Sequence, residues 1–370
     1  MATWPKILVL TAACNFRTGV KPAWPLLFFY GVSLCAQPLC TVTAKDPAAL
    51  AGEGLALSRA GNYRSAADCY RKALALGAKT PGLQLNLGLA EFKMGHFRSA
   101  VAPLRAVLAM QPQSLQARTL LGMSYYGSGS YSLAAVELGK ALSADSRNSQ
   151  LRYVYAQSCL WGGQYSRALK EFESLLRENP DSAPVHVLVA QALDGQGKPI
   201  EAIAELLAAA ASSPSEPNVH FGLGYLLWKQ RRDDEAEREF RLELAHDPSH
   251  SKAYAWLGDI ALRRGDQVTA KPLLEKALSL SPNIRIAHLD LGIIYAEQQR
   301  NEQAVVELSE ALLIDPSRPD VHYRLGRVYQ EMGRQREAQA ELAIVKRLHK
   351  EKTEDALHQV SGAPPALPVQ

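Results

Sequence analysis

The chain has 370 residues, 47% hydrophobic and 21% charged, a balance that excludes a disordered protein and on length alone leaves room for two or three ordinary domains. Its formal net charge is +4, of which Lys6, Arg17 and Lys21 supply three within a first 36 residues free of Asp and Glu, so the remainder stands near +1. A body that close to neutrality, with no basic run interleaved with aromatics, gives no electrostatic reason to bind nucleic acid.

In chain order, residues 1–36 read as a signal peptide. Three basic residues lead into "AWPLLFFYGVSLCA" (Ala23–Ala36), 14 residues that begin almost at once with Pro25. That is short of the roughly 20 apolar residues a membrane span needs and fits a signal core. The lead is long, and Leu34 is a poor residue three positions before a cut at Ala36. An uncleaved anchor and a mis-set start codon therefore stay open beside the cleaved signal. The expected location is the bacterial periplasm. Membrane contact is expected only through an uncleaved N-terminal segment, and a mis-set start would leave the chain cytoplasmic. Residues 37–46 read as a linker.

From Pro47 a 34-residue period takes over. It runs through 47–80, 81–114, 115–148, 149–182, 183–216, 217–250, 251–284, 285–318 and 319–352 without insertion or deletion. Counting 1 to 34 within a repeat, position 20 is Ala in all nine, from Ala66 to Ala338, and position 8 is Gly or Ala throughout. Position 24 is always large and apolar, as in Tyr70, Phe172 and Phe240. Positions 4, 7, 8 and 11 share one face of a first helix, and positions 20, 24 and 27 one face of a second. Small residues at 8 and 20 let the two helices cross closely. Position 15 is Gly in seven repeats, where the first helix must end, and position 32 is Pro in six, which stops the second. One such hairpin cannot bury both faces; stacked neighbours can, so the array is expected to be one solenoid.

These offsets resemble the tetratricopeptide repeat, a helix–turn–helix motif with L-G, A, F/Y and P at matching places. The resemblance covers 47–352. It implies an all-α fold, a right-handed α-solenoid (superhelix) of antiparallel helix–turn–helix repeats whose first helices line a concave groove. It implies a scaffold that binds protein or peptide, with no catalysis and no cofactor of its own. The departures are local. Glu53 replaces an expected Leu in the first repeat. Arg231 stands where most repeats have Gly, without an evident reason. Glu243 occupies position 27, which is otherwise small or apolar, and is expected to tilt outward near Arg241. Residues 353–360 are expected to prolong the terminal helix over the open end of the core, and 361–370 to form a disordered tail.

No catalytic constellation emerges. His186, His220, His288 and His322 share position 4, but equivalent positions in neighbouring repeats lie roughly 8–10 Å apart, too far to share a metal held at about 2 Å. They read as half-buried helix-start histidines, and no metal is expected. Of the five cysteines, Cys14 and Cys35 fall in the signal, and Cys40, Cys69 and Cys159 are widely spaced with no CxxC. That argues against a disulfide framework, and Cys69 and Cys159 read as small apolar residues.

Functional candidates lie at positions 2, 5, 9, 12 and 13, which the resemblance turns toward the groove. They are Phe92, Met123, Tyr126, Tyr153, Trp161, Phe221, Tyr225, Trp228 and Lys229. Aromatic side chains gathered on an exposed face suit a protein interface, though part of the set can pack against the next repeat instead. Later repeats add charge through Asp259, Arg263, Glu297, Tyr323 and Arg327. The Lys/Asn/Arg clamp that some relatives use to hold a C-terminal carboxylate is missing, since Asn86 is the only Asn at position 6. Two further readings stay open: a structural or assembly factor for envelope or secretion complexes, and a non-catalytic subunit of an enzyme complex.

Overall fold

A computed structural model describes residues 46–361, with side chains to 354; the signal and most of the linker and tail expected above lie outside the described residues. The chain divides into two compact units, residues up to Ala202 and residues from Ile203 on. Each is a solenoid of paired helices, and no strand occurs among the described residues.

The first unit holds α1 (Pro47–Arg59), α2 (Tyr63–Ala75), α3 (Pro81–Lys93), α4 (Phe97–Met110), α5 (Leu115–Gly127), α6 (Tyr131–Ala144), α7 (Ser149–Trp161), α8 (Tyr165–Glu178) and α9 (Ala183–Gly195). The boundary falls inside α10 (Pro199–Ser212). The second unit continues with α11 (Val219–Lys229), α12 (Asp233–His246), α13 (Ser251–Arg263), α14 (Gln267–Leu280), α15 (Arg285–Glu297), α16 (Asn301–Ile314), α17 (Pro319–Glu331) and α18 (Gln335–Ser361). Within each unit consecutive helices pack together, and first helices also touch the next first helix, as α3 with α5 and α13 with α15. The terminal helix α18 runs to Ser361, the first residue of the expected tail. No helix among the described residues is long and apolar enough to cross a membrane.

The core follows from the repeat. The position-20 alanines Ala66, Ala100, Ala134, Ala168, Ala236, Ala270 and Ala304 are all fully buried. The glycine at position 8 meets the large residue at position 24: a Cβ on Gly224 would stand 2.7 Å from the Phe240 ring, and one on Gly292 2.7 Å from Leu308. Real Cβ atoms do not approach that closely, so the glycine sets how near the two helices lie.

First helices end in a left-handed residue. Gly61, Gly95, Gly129, Gly163, Gly197, Gly265 and Gly333 all have φ between 74° and 79°. Arg231 and Gln299 take the same conformation at φ 63° and 57°, and that resolves the oddity at Arg231. The turn bonds are conserved there, with Arg231 N–H donating to the Trp228 carbonyl and Arg232 N–H to that of Leu227, both at 3.0 Å. Packing imposes the turn, and the two non-glycine residues bear a strain of roughly 1–2 kcal/mol.

Helix starts are capped locally in most repeats, for example by Thr80 accepting from Leu83 N–H at 3.3 Å and Asn148 from Leu151 N–H at 2.9 Å. The start of α11 differs. It begins two places later in its repeat than α13 does in the next, its cap residue Asn218 is left-handed at φ 67°, and the Asn218 side chain makes no cap bond. Glu243 reaches across from α12 instead. Its carboxylate accepts from Asn218 N–H at 3.2 Å and Phe221 N–H at 3.0 Å, and the residue is only 4% exposed. The expected outward tilt toward Arg241 is therefore wrong: an acid at this position is a cap supplied from the neighbouring helix.

Candidate functional site

Position 4 carries a repeated clasp. His288 of α15 faces Glu307 Oε2 through Nδ1 at 2.7 Å and the Pro282 carbonyl through Nε2 at 2.8 Å. His322 does the same with Glu341 and Pro316, and His220 with Glu239 and Pro214. Arg118 and Arg152 make the equivalent pair of contacts in the first unit, to Glu137 and the Pro112 carbonyl and to Glu171 and the Ser146 carbonyl. His186 bonds the Pro180 carbonyl at 2.8 Å. Each clasp ties the start of a first helix to its own second helix and to the end of the preceding repeat. The column is mechanical, and the described residues hold no cluster of three or more His, Cys, Asp or Glu suited to a metal.

Only an imidazole carrying both protons can donate to both acceptors. Burial works against the charged His288 ring, but its bonds to Glu307 and the Pro282 carbonyl together outweigh it, and the net shift is upward. A raised folded pKa means stability fully present below the unfolded value near 6.5 and lost as pH rises through the folded value. The penalty of His288→Ala, on the order of 1 kcal/mol, should therefore be larger at pH 5.5 than at pH 8.5. Urea midpoints of both proteins at the two pH values measure it, and an equal penalty at both would remove the charged ring from the account.

In the first unit the candidates stand on α3, α5 and α7. Phe92, Met123, Tyr126, Tyr153 and Trp161 are all half-buried. The Tyr126 hydroxyl donates to Gln157 Oε1 at 3.1 Å, and burial, only partly offset by a hydrogen bond with Trp161, pushes the phenol up to about 12. The Tyr126 ring meets Tyr131 edge-on at 5.6 Å, and Phe92 meets Phe97 at 5.5 Å. Tyr126, Gln157 and Trp161 thus form one partly open group across α5 and α7, stiffened by hydrogen bonds.

In the second unit the expected set separates. Phe221 is 3% exposed and Tyr225 7%. Phe221 packs between Phe240 at 5.8 Å and His250 at 4.7 Å, and Tyr225 against Trp256 at 5.5 Å. Both are core rings and not open contacts: Phe240 and His250 enclose Phe221, and Trp256 on α13 packs on Tyr225. Trp228 stays half-buried and Lys229 exposed, the Lys229 ammonium lying 5.6 Å from the Tyr225 ring centre. Trp228 is fixed from three sides. Trp256 packs on it at 4.2 Å, the Arg263 guanidinium lies 4.9 Å from its ring, and its indole N–H donates to Asp259 Oδ2 at 2.5 Å. Arg263 also approaches Asp259 at 2.9 Å and Asp233 at 3.1 Å, close enough for ion pairing although its nitrogens miss hydrogen-bond angles.

Three charged residues of this face escaped the reading of the sequence. Asp290 on α15 is 3% exposed and its Oδ2 has no hydrogen-bond partner. Arg285 buries an unpartnered Nη1, and Arg324 on α17 is exposed. Burial first, and then the charge of Asp259, holds the Asp290 carboxyl well above the usual range despite Arg285, Arg324 and Arg263 nearby. Asp259 is raised as well, by burial, against the pull of Arg263. The available signal was an Asp inside the otherwise apolar "HLDLG".

The cysteines divide. Cys159 is a free buried thiol, as expected, whereas Cys69 takes part in a disulfide and is not the inert apolar residue it was read to be.

Sequence profiles described as "Tetratricopeptide repeat" match residues 51–93, 85–149, 188–249 and 221–270, residues 125–192, and residues 320–351; one described as "TPR repeat" matches 292–333. Together they span 51–270 and 292–351. A search of the curated proteins returned no match. Among solved structures, a tetratricopeptide repeat protein from Parabacteroides merdae ATCC 43184 is 18% identical, with 68% of this chain and 99% of that one covered and a TM-score of 0.57. The APC/C hetero-tetramer Cut9–Hcn1 matches at 16% identity over 82% of this chain and 73% of that one, with a TM-score of 0.55. At such identities the likeness concerns the fold.

Proposed function

The chain belongs to the tetratricopeptide repeat family, and on that premise we propose that it is a non-catalytic scaffold holding a peptide or protein segment in a groove lined by its first helices. The fold is consistent with a protein- or peptide-binding scaffold; the groove as the binding surface is our reading. The observation that carries it is the partly open aromatic set of the first unit. Phe92, Tyr126, Tyr153 and Trp161 pack against the core and yet stay partly exposed. Half-exposed Tyr and Trp already held in place lose little conformational freedom on binding, which makes them good anchors. Trp228 extends the same character to the second unit.

The proposal places the scaffold outside the cytoplasm of a bacterium. The basic lead and apolar stretch of residues 1–36 support this, as does the disulfide at Cys69, since such bonds persist in oxidising compartments.

The test is capture from a native envelope fraction by the immobilised chain and by the double variant Tyr153→Ala with Trp161→Ala. Anchor rings of this kind contribute about 2 kcal/mol or more each, so affinity should fall roughly thirtyfold for the loss of one ring and up to about a thousandfold for both. Circular dichroism should show unchanged helical content. Undiminished capture by a folded variant would refute the groove reading.

A further inference from the structure

A pocket of about 300 Å³ opens in the second unit between α15 and α17. Ile293, Ala296, Leu308 and Val328 give it an apolar floor. Ligand pockets run from about 300 to 1,000 Å³, and this one, at the small end, has room for a single large side chain. The exposed ring of Tyr323 stands at its rim, 49% accessible, an amphipathic edge of the kind that covers an inserted side chain.

The charges at the rim are unequal in what they have left to give. Glu297 accepts from Gln267 Nε2 at 2.6 Å. Arg327 has its one carboxylate neighbour, Glu331, at 4.0 Å, the limit of an ion pair, and Arg324 forms no ion pair among the described residues. Both arginines are exposed and lie three residues apart on α17, on neighbouring turns of one face. Arg324 lies close enough to act on Asp290, which is buried and has an unpartnered oxygen. The α17 side of the pocket therefore carries the two arginines and, one turn beyond Arg327, the carboxylate of Glu331, and the α15 side carries that of Glu297. A carboxylate carried into the pocket itself would meet Glu297. One carried beside it, over α17, would meet two guanidinium groups.

We infer that this pocket seats one large apolar side chain of an extended partner segment, with an acidic side chain of the same segment lying against Arg324 and Arg327. The inference rests on the groove-binding reading and narrows it to a segment chemistry. The carboxylate is assigned to a side chain and not to a chain end, because both cations stand on one helix and the facing helix is acidic.

The probes are two pools of acetylated, amidated heptapeptides with central Leu, one flanked by Glu and one by Lys, offered to the full chain. Two exposed charge contacts of about 0.5 kcal/mol each give the acidic pool about a fivefold advantage. Arg324→Gln with Arg327→Gln, both at exposed positions that the core does not use, should remove that advantage. Ala296→Trp, which fills the pocket, should abolish retention of both pools. Equal retention of the two pools by the native chain would overturn the inference. So would acidic-pool retention that Ala296→Trp leaves intact. In each of those cases, loss of partner capture in the Tyr153→Ala, Trp161→Ala variant would still uphold the groove reading, so the two fail separately.

Discussion

Replacing Glu243 by glutamine should destabilise the second unit by about 2–4 kcal/mol, a large effect for an isosteric change in a chain without chemistry to lose. The two carboxylate oxygens accept the N–H groups of Asn218 and Phe221 from a position 4% exposed. Glutamine keeps one acceptor and turns an NH2 group toward a donor that can no longer be satisfied. It also removes the negative charge that faces the positive end of α11. No local substitute exists, because the left-handed Asn218 has its side chain elsewhere: its Oδ1 accepts from His250 Nε2 at 3.2 Å. His250 is committed as well, since its Nδ1 accepts Ala253 N–H at 3.1 Å and caps α13. Arrays of repeats can unfold in parts, so the midpoint of a urea titration should be read beside hydrogen exchange. Protection should drop first at the amides of Asn218 and Phe221. A loss below about 0.5 kcal/mol, or one spread evenly over the unit, would show that the cap is incidental.

That cap marks where the sequence stops being readable. The period, the small residues at 8 and 20 and the stop at 15 were legible because each recurs up to nine times and each answers a purely local demand. Even the exceptions obeyed: Arg231 and Gln299 adopt the left-handed turn that glycine takes elsewhere, because helix packing dictates it. Glu243 was misread for the opposite reason. Its role depends on α11 starting late, which is a property of the neighbouring helix. Phe221 and Tyr225 failed in the same way. Their positions within the repeat are open ones; Phe240 and His250 of its own repeat close Phe221, and Trp256, contributed by the following repeat, closes Tyr225. Position within a repeat predicts direction, while exposure is decided by the size of the residue on the next helix.

Asp290 supplies the other large effect, of opposite sign. Asp290→Asn should stabilise the second unit at pH 7 by about 1–3 kcal/mol, the usual worth of relieving a buried, unsatisfied polar group. The carboxyl is held well above its normal range by burial and then by Asp259, and three arginines do not offset this. With a folded pKa above the unfolded value near 3.9, the folded state binds the proton more tightly. Stability is then greatest below the unfolded pKa and is lost as pH rises from there through the folded one. The advantage of the asparagine variant should accordingly shrink as the pH is lowered toward 4, which thermal unfolding of both proteins across that range would reveal. A variant no more stable than the native chain at pH 7 would mean that Arg285 and Arg324 neutralise the acid after all.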